Sequence, residues 1–368
     1  MWTLTNNYNN WEALEKEFPW VADMQSVPQD SIHHAEGNVA IHTQMVLQAM
    51  QNLEEFQQLA PWEQEMLLAA ALAHDIEKRS TTVEEKGRIL SPGHAKKGAF
   101  TFRNILFEKG GLTVKEREQL VGLVRYHGFP IWLMEKKNPE KELLKVALET
   151  NTLWLYILAK ADVLGRICAD QKEMLDRVTL FKMMCEEHNC FGKPRAFSTS
   201  EGRFHYFNTD EMYPDYEPFD SYKATVHVLS ALPGMGKDYF IKKNLDLPII
   251  SLDALRIALK VAPTDTAGNG TVVQEAKKRA KQYLASGQDF VWNATNTSQL
   301  MRTQLIELFT DYKAKVVIHY IEKPHKKWLQ QNHNRERKVP EAVLFKMLLK
   351  WQPPSLFEAH EVFYYEEE

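Results

Sequence analysis

The stretch Val226-His-Val-Leu-Ser-Ala-Leu-Pro-Gly-Met-Gly-Lys237-Asp-Tyr-Phe240 constrains this chain more than any other. A β-branched apolar run passes through a Pro-Gly-x-Gly-Lys turn into a helical pattern, the strand, loop and helix order of a nucleotide-binding P-loop. Gly234 and Gly236 let the backbone turn tightly and present successive N–H groups to phosphate oxygens, and the following helix adds its positive end. Pro233, Gly234, Met235, Gly236, Lys237 and Asp238 are the expected nucleotide-binding residues, with Lys237 reaching the β- and γ-phosphates. Two positions depart from G-x-x-x-x-G-K-[ST]: Ala231 stands at the first glycine and Asp238 at the Ser/Thr. An aspartate can still hold hydrated Mg²⁺ through one carboxylate oxygen.

A chain of 368 residues is too long for one core, because single cores stop growing near ~250–300 residues. The net charge of −4 gives no overall basic field, so any nucleic-acid contact must rest on a local patch. Cys168, Cys185 and Cys190 make neither a paired framework nor a Cys-x-x-Cys, which points to a reducing cytosol. No apolar run approaches the ~18–20 residues of a membrane span, and no basic-then-apolar leader opens the chain. A cytoplasmic protein without a membrane partner is expected.

Three regions follow from periodicity. Residues 1–190 read as an all-α domain, with helices over 37–58, 62–73, 94–108, 114–126, 141–161 and 170–187. Residues 191–223 are a polar, aromatic-rich connector punctuated by Gly and Pro, whose rings pack or stack on bases. Residues 224–368 alternate strand and helix, an α/β domain with a mainly parallel sheet and its site at the C-terminal strand ends. The acidic end, 366–368, reads as a solvated tail.

Histidines in the helical half sit where helices begin or end. His42 follows His33-His34-Ala-Glu-Gly-Asn-Val-Ala-Ile, and His74-Asp75 closes Met66-Leu-Leu-Ala-Ala-Ala-Leu-Ala73. His94 opens a helix after Ser91-Pro-Gly, His127 follows Leu123-Val-Arg-Tyr, and Asp162 lies in Leu158-Ala-Lys-Ala-Asp-Val-Leu-Gly-Arg166. Imidazoles and carboxylates suit divalent transition metals, and an apolar helix ending in His-Asp is costly unless both groups are coordinated or paired. In this order the residues resemble the HD phosphohydrolase superfamily, and 34–46 with 72–78 look most like the HD domain of bacterial tRNA nucleotidyltransferases. The resemblance implies that His42, His74, Asp75 and Asp162 bind one metal, and that His94 and His127 bind a second ion or the phosphate. His34 and Lys78 are candidate phosphate contacts. Glu77 stands where relatives usually carry Gly.

In the α/β half, Asp253-Ala-Leu-Arg256 follows Leu247-Pro-Ile-Ile-Ser-Leu, and Asn293-Ala-Thr-Asn296 follows Phe290-Val-Trp. A carboxylate at a strand end facing a γ-phosphate can accept the proton of an attacking hydroxyl. Arg256, three residues on, could grip an acceptor phosphate, although Asp-x-x-Arg is also a common helix-start ion pair. Arg335 or Arg337, on a basic helix, could close as a lid. Asn293, Thr295 and Asn296 could orient phosphates or cap the next helix. Together with the P-loop these segments resemble the polynucleotide 5′-kinase family, which implies Asp253 as general base, Arg256 as acceptor contact and Arg335 or Arg337 as lid arginine.

An HD half joined to a polynucleotide-kinase half resembles the bacterial HD-domain polynucleotide kinases (HD-Pnk) over nearly the whole chain. That resemblance implies RNA end healing: an NTP such as ATP, with Mg²⁺, phosphorylates 5′-OH ends, and one or two Mn²⁺, Ni²⁺ or Co²⁺ ions serve removal of 2′,3′-cyclic or terminal phosphates. RNA or DNA ends, a nucleoside triphosphate and a separate RNA ligase are the expected partners. Two alternatives stand beside it: an HD nucleotidase fused to a nucleoside or sugar kinase, and a nucleotide-sensing P-loop that regulates the HD half.

Overall fold

Short polar side chains set where the N-terminal helices begin. Asn38 Oδ1 accepts from Ile41 N to open α1, Val39–Asn52, and Pro61 occupies the first position of α2, Pro61–Ala73. After α2 comes a small antiparallel hairpin, β1 Val83–Glu85 and β2 Arg88–Leu90. It turns through Lys86 and Gly87 with φ of 53° and 74°, the paired positive φ values that suit a two-residue hairpin. Then follow α3, His94–Lys109, and α4, Val114–Tyr126, the latter opened by a Thr113–Glu116 capping box. Next are α5, Pro139–Glu149, α6, Thr152–Leu164, and α7, Gln171–Glu187.

The structure is a computed structural model that describes residues 1–210, 213–219, 221–262, 264–335 and 338–367, with Thr266 as backbone only. The chain divides into two compact units, Met1–Ala196 and Phe197–Glu368. In the first, α1 packs on α6, α2 on α4, and α6 on α7. Leu67, Leu72, Leu155, Ile157 and Leu158 are fully buried there, each such aliphatic side chain contributing about 1.5–3 kcal/mol.

The expected helix pattern needs correction at three places. The stretch 37–58 breaks at Leu53, whose ψ of 130° is extended. The stretch 141–161 is two helices, because Thr150 is extended (ψ 159°) and Asn151 starts α6 by accepting from Leu153 N and Trp154 N. The hairpin β1–β2 means the unit is helical but not purely α.

The stretch expected as a connector contributes a helix of its own. In α8, Ser200–Asn208, Phe204 is buried and stacks on His360 with ring centroids 4.0 Å apart, and Arg203 donates to the carbonyls of Leu356 and His360. Its aromatic positions Phe204 and Tyr206 are therefore packing residues.

The second unit is built on β3 Ala224–Ser230, α9 Lys237–Asn244, β4 Ile249–Ser251, α10 Leu252–Ala258, α11 Thr266–Ser286, β5 Phe290–Asn293, α12 Gln299–Thr310 and β6 Ala314–Glu322. It ends in α13 His325–Asn334, α14 Glu341–Leu348 and β7 Glu361–Glu366. The strands form one five-stranded sheet in the order β4-β5-β3-β6-β7, every neighbouring pair parallel. Val226 and Val228 of β3, Phe290 and Trp292 of β5 and Val316 and Ile318 of β6 lie in its core. From β3 the chain crosses over β5 to reach β4, and from β5 back across β3 to β6, so the C-terminal end of β3 is the place where a crevice opens. The acidic end is not a free tail up to Glu366: β7 is an edge strand, with Glu361 paired to Lys315 at 2.6 Å. Among the described residues no helix is long and apolar enough to cross a membrane.

Candidate metal centre and phosphate loop

In the N-terminal unit, His74 and His127 each stand at the C-terminal end of a helix and His94 at the start of α3. All three turn the same way. The Nδ1 atoms of His74, His94 and His127 lie 2.7, 2.8 and 2.9 Å from the carbonyl oxygens of Ala71, Ser91 and Val124, each three residues back. A carbonyl only accepts, so Nδ1 carries a proton, and Nε2 is the nitrogen left to face the carboxylates and to bind an ion in the neutral ring. His42, on α1, obeys the same rule with Gly165 O at 3.2 Å and Glu36 Oε1 at 3.0 Å from its Nδ1.

The four Nε2 atoms converge on Asp75. Oδ2 of Asp75 lies 3.2 Å from His74 Nε2 and 3.7 Å from His42 Nε2, and Oδ1 lies 3.4 Å from His94 Nε2 and 3.8 Å from His127 Nε2. Asp162 on α6 closes the first group, its Oδ1 3.1 Å from His42 Nε2. Two donor sets result, His42–His74–Asp162 and Asp75–His94–His127, with Asp75 facing both. The six sequence-predicted ligands, drawn from five places in the chain, are thus brought together.

The residues fit a divalent metal. Both carboxylate oxygens of Asp75 are buried without a hydrogen bond of good geometry, and Oδ2 is balanced by the Lys78 ammonium 2.8 Å away; a divalent cation would engage the oxygens on the side that faces the imidazoles. A mixed nitrogen and oxygen donor set without thiolate suits Mn²⁺, Co²⁺, Ni²⁺ or related ions. Burial opposes the charge on Asp75, yet the adjacent Lys78 and His74 hold it well below the usual carboxylate range. Burial also pushes His127 down to about 3, and His94 below its ordinary value.

The two candidate phosphate contacts face the donors themselves. Lys78 is buried, its Nζ 2.8 Å from Asp75 Oδ2 and donating to Gln29 Oε1 at 2.6 Å. His34 is buried, its Nδ1 2.8 Å from Glu36 Oε1. Three supporting residues escaped the sequence reading: Arg166, which forks onto both oxygens of Asp162, Gln29 on Lys78, and Glu36 on His42. Only Arg166 left a signal, its i,i+4 spacing from Asp162. Glu77 is buried and accepts from Thr101 Oγ1 at 2.9 Å, so it belongs to the packing of that turn.

In the C-terminal unit the turn after β3 is held from behind. Gly234 and Gly236 adopt φ of 86° and 95°, values that favour glycine. Trp328 of α13 donates to Pro233 O at 2.7 Å, and the Sδ of buried Met235 accepts from Lys323 N. Lys237 opens α9 and loses water on folding, which lowers its pKa. Asp238 is exposed and accepts from Asn293 Nδ2 at 2.7 Å, so strand β5 orients it. Asn296 is buried with a φ of 45°, and its amide donates to Leu229 O at 2.7 Å. It neither caps α12, which Ser298 does, nor offers that amide outward; it pins the loop to the end of β3. Buried Arg302 completes this support, donating to Asn296 O at 3.0 Å and to both oxygens of Glu358 at 2.7 and 2.9 Å.

Asp253 and Arg256 lie on α10 as an i,i+3 ion pair, with Arg256 Nε also donating to Asn269 Oδ1 at 2.7 Å. The Asp253 side chain is 84% exposed. Arg335 does not lie on a helix: it is the residue after α13, with extended backbone, and is exposed. Arg337 lies outside the described residues.

Residues 226–354 match AAA_33, a family described as an AAA domain. Among solved structures, a candidate kinase from Chloroflexus aurantiacus J-10-fl is similar, with a TM-score of 0.33 and 16% identity over 39% of this chain and 86% of that one. No curated protein matches. The family match and the glycine turn between a central strand and a helix give the C-terminal unit the features of a P-loop domain, a fold element that binds a nucleotide with Mg²⁺.

Proposed function

We propose that this chain is a two-activity enzyme of nucleic-acid end healing. The P-loop unit phosphorylates 5′-OH polynucleotide ends from an NTP with Mg²⁺, and the N-terminal unit hydrolyses 2′,3′-cyclic phosphate or terminal 2′- or 3′-phosphate ends. The observation that carries the reading is Asp75, a buried carboxylate facing two histidine groups in a chain that also bears a P-loop. His42, His74, Asp75 and Asp162 would hold one divalent transition ion, and Asp75, His94 and His127 a second. Such ions supply Lewis acidity at phosphorus and acidify water. The protein's own part is to fix the imidazole tautomers and to set Lys78 and Arg166 beside the carboxylates, where they balance charge.

In the other unit, backbone N–H groups of 234–236 and Lys237 cradle phosphates, Asp238 would hold Mg²⁺, and Asp253 accepts the proton of the attacking 5′-hydroxyl. Arg256 contacts the acceptor phosphate and Arg335 or Arg337 the transferring group. RNA ends are the favoured substrate, a separate ligase the enzyme that consumes the product.

The test is label transfer from γ-labelled ATP to a 5′-OH oligoribonucleotide with Mg²⁺, beside release of phosphate from a 2′,3′-cyclic end with Mn²⁺, Ni²⁺ or Co²⁺. Asp253→Ala is expected to lose the first reaction alone and Asp75→Ala the second alone. Transfer to a free nucleoside but not to RNA or DNA would replace the end-healing reading with a small-molecule one.

A further inference from the structure

Glu36 is the least expected group near the candidate metal centre, a carboxylate in a loop, 1% exposed at its side chain, with each oxygen engaged. Oε1 lies 2.8 Å from His34 Nδ1 and 3.0 Å from His42 Nδ1, and Oε2 accepts from Ile167 N at 2.9 Å. The loop backbone repeats the link, Ala35 N donating to Ile167 O at 2.9 Å. Ile167 follows the turn that ends α6; Asp162 lies in the last turn of that helix and Arg166 just beyond it. One carboxylate therefore ties together the first donor in the chain, His42, and the turn that aims the last, Asp162.

From this geometry we infer that Glu36 is the positioning residue of the His42–His74–Asp162 donor set, fixing His42 with its proton on Nδ1 and its Nε2 lone pair aimed at the ion. The inference rests on the metal reading given above. Its chemical basis is general: a carboxylate that accepts from the outer nitrogen of a ligating imidazole sets the tautomer, orients the ring and raises its basicity, and its loss typically weakens metal binding 10–100-fold. Gly165 O, the other acceptor at His42 Nδ1, lies farther away at 3.2 Å and carries no formal charge. Glutamine cannot replace Glu36 fully, because its amide nitrogen would meet either the Nδ1–H donors or Ile167 N–H, all of them donors.

The test is Co²⁺ binding to the metal-free full-length protein by calorimetry, with the visible absorption of bound Co²⁺ read alongside and the unfolding midpoint of each metal-free protein as a control. Glu36→Gln is expected to weaken one class of site 10–100-fold and leave the class that contains His94 and His127 unchanged. Glu118→Gln, at a carboxylate that binds Arg103 and Arg117 instead of a donor, is expected to lower the midpoint without moving either affinity. Equal Co²⁺ affinities in wild type and Glu36→Gln would overturn the assignment, as would an equal weakening of both classes. Wild-type protein that binds no Co²⁺, Mn²⁺ or Ni²⁺ would instead overturn the metal reading itself. If Glu36→Gln does not fold, Glu36→Asp keeps the charge and shortens the reach, and unchanged binding in that variant would equally count against the role.

Discussion

The two candidate sites of this protein are built on opposite plans. The N-terminal one is made of side chains, converging within 4 Å of a buried carboxylate from helices far apart in sequence, with every imidazole already oriented by a hydrogen bond at its Nδ1. The C-terminal one is made of backbone, a glycine turn braced from behind by Trp328, Asn296 and Arg302, while its candidate base is solvent-facing. The difference follows from the ligands each plan would serve. A small, highly charged cation can be held only by preformed donors, because collecting buried carboxylates after folding would cost several kcal/mol each. A triphosphate brings its own charge and metal, so the protein needs to supply only aligned N–H groups and a lysine, and can leave the reacting groups to be organised by the substrates.

The sharpest break of this comparison is Asp75→Ala. A preformed site with one carboxylate facing both donor sets should lose binding at both, so phosphate release from cyclic or terminal phosphate ends should fall to background while kinase turnover stays within twofold. Retained Mn²⁺ binding at either set, measured by calorimetry, would mean that Asp75 does not join them. Next in size is Lys237→Ala, expected to lower kinase turnover by 10²–10³-fold or more through loss of charge at the transferring phosphate, with phosphohydrolysis unchanged. A variant that still binds ATP and turns over normally would mean that the glycine turn, for all its geometry, is not a catalytic loop.

Arg302→Ala probes the bracing of that turn and requires no ligand. The guanidinium is fully buried against the Glu358 carboxylate and the carbonyls of Asn296 and Gln352, so its removal strands a buried charge. The cost should be at least about 3 kcal/mol in the C-terminal unit, read by urea unfolding. A loss under ~1 kcal/mol would show that the bracing is dispensable and that the open plan tolerates a loose loop.

How much of this was legible in the sequence depended on the range of the interactions. The P-loop is local, since strand, glycines and lysine lie within one short run, and it could be read directly. The histidines and aspartates of the other site are scattered, but they stand at or near helix ends, and the apolar run before His74-Asp75 makes that pair conspicuous. Glu36 was illegible because its meaning depends on Ile167, 131 residues away. Strand β7 was hidden by its own charges: Glu361 and Glu366 flank aromatic residues at the sheet edge, and the pairing of Glu361 with Lys315, a residue far away in sequence, helps an acidic strand sit there. The break before α6 was masked because apolar periodicity continues across Thr150 and Asn151, while the cap that resets the backbone uses one small amide. Asp-x-x-Arg was read for both outcomes, and the ion pair has formed.

The smallest of these effects concerns imidazoles that no proposed chemistry uses. On the sheet of the C-terminal unit, His319 lies between His227, whose Nδ1 is 2.8 Å from its Nε2, and Tyr365, whose hydroxyl is 3.1 Å from its Nδ1, with Phe240 and Phe363 against the ring. Burial, with a smaller contribution from His227, pushes His319 down to about 4 from an ordinary value near 6.5. Between those pH values the unfolded chain binds a proton that the folded one refuses, so stability from this residue is complete above about 6.5 and is lost as pH falls toward 4. The loss should approach about 3 kcal/mol at the acid end, at 1.36 kcal/mol per unit. Hydrogen exchange of β6 peptides, compared at pH 7 and 5 after correction for intrinsic rates, should report it, and His319→Phe should remove most of the pH dependence because the ring packing survives while the titration does not. An unchanged slope in that variant would place the acid sensitivity of the unit elsewhere, with His227 the next group to replace.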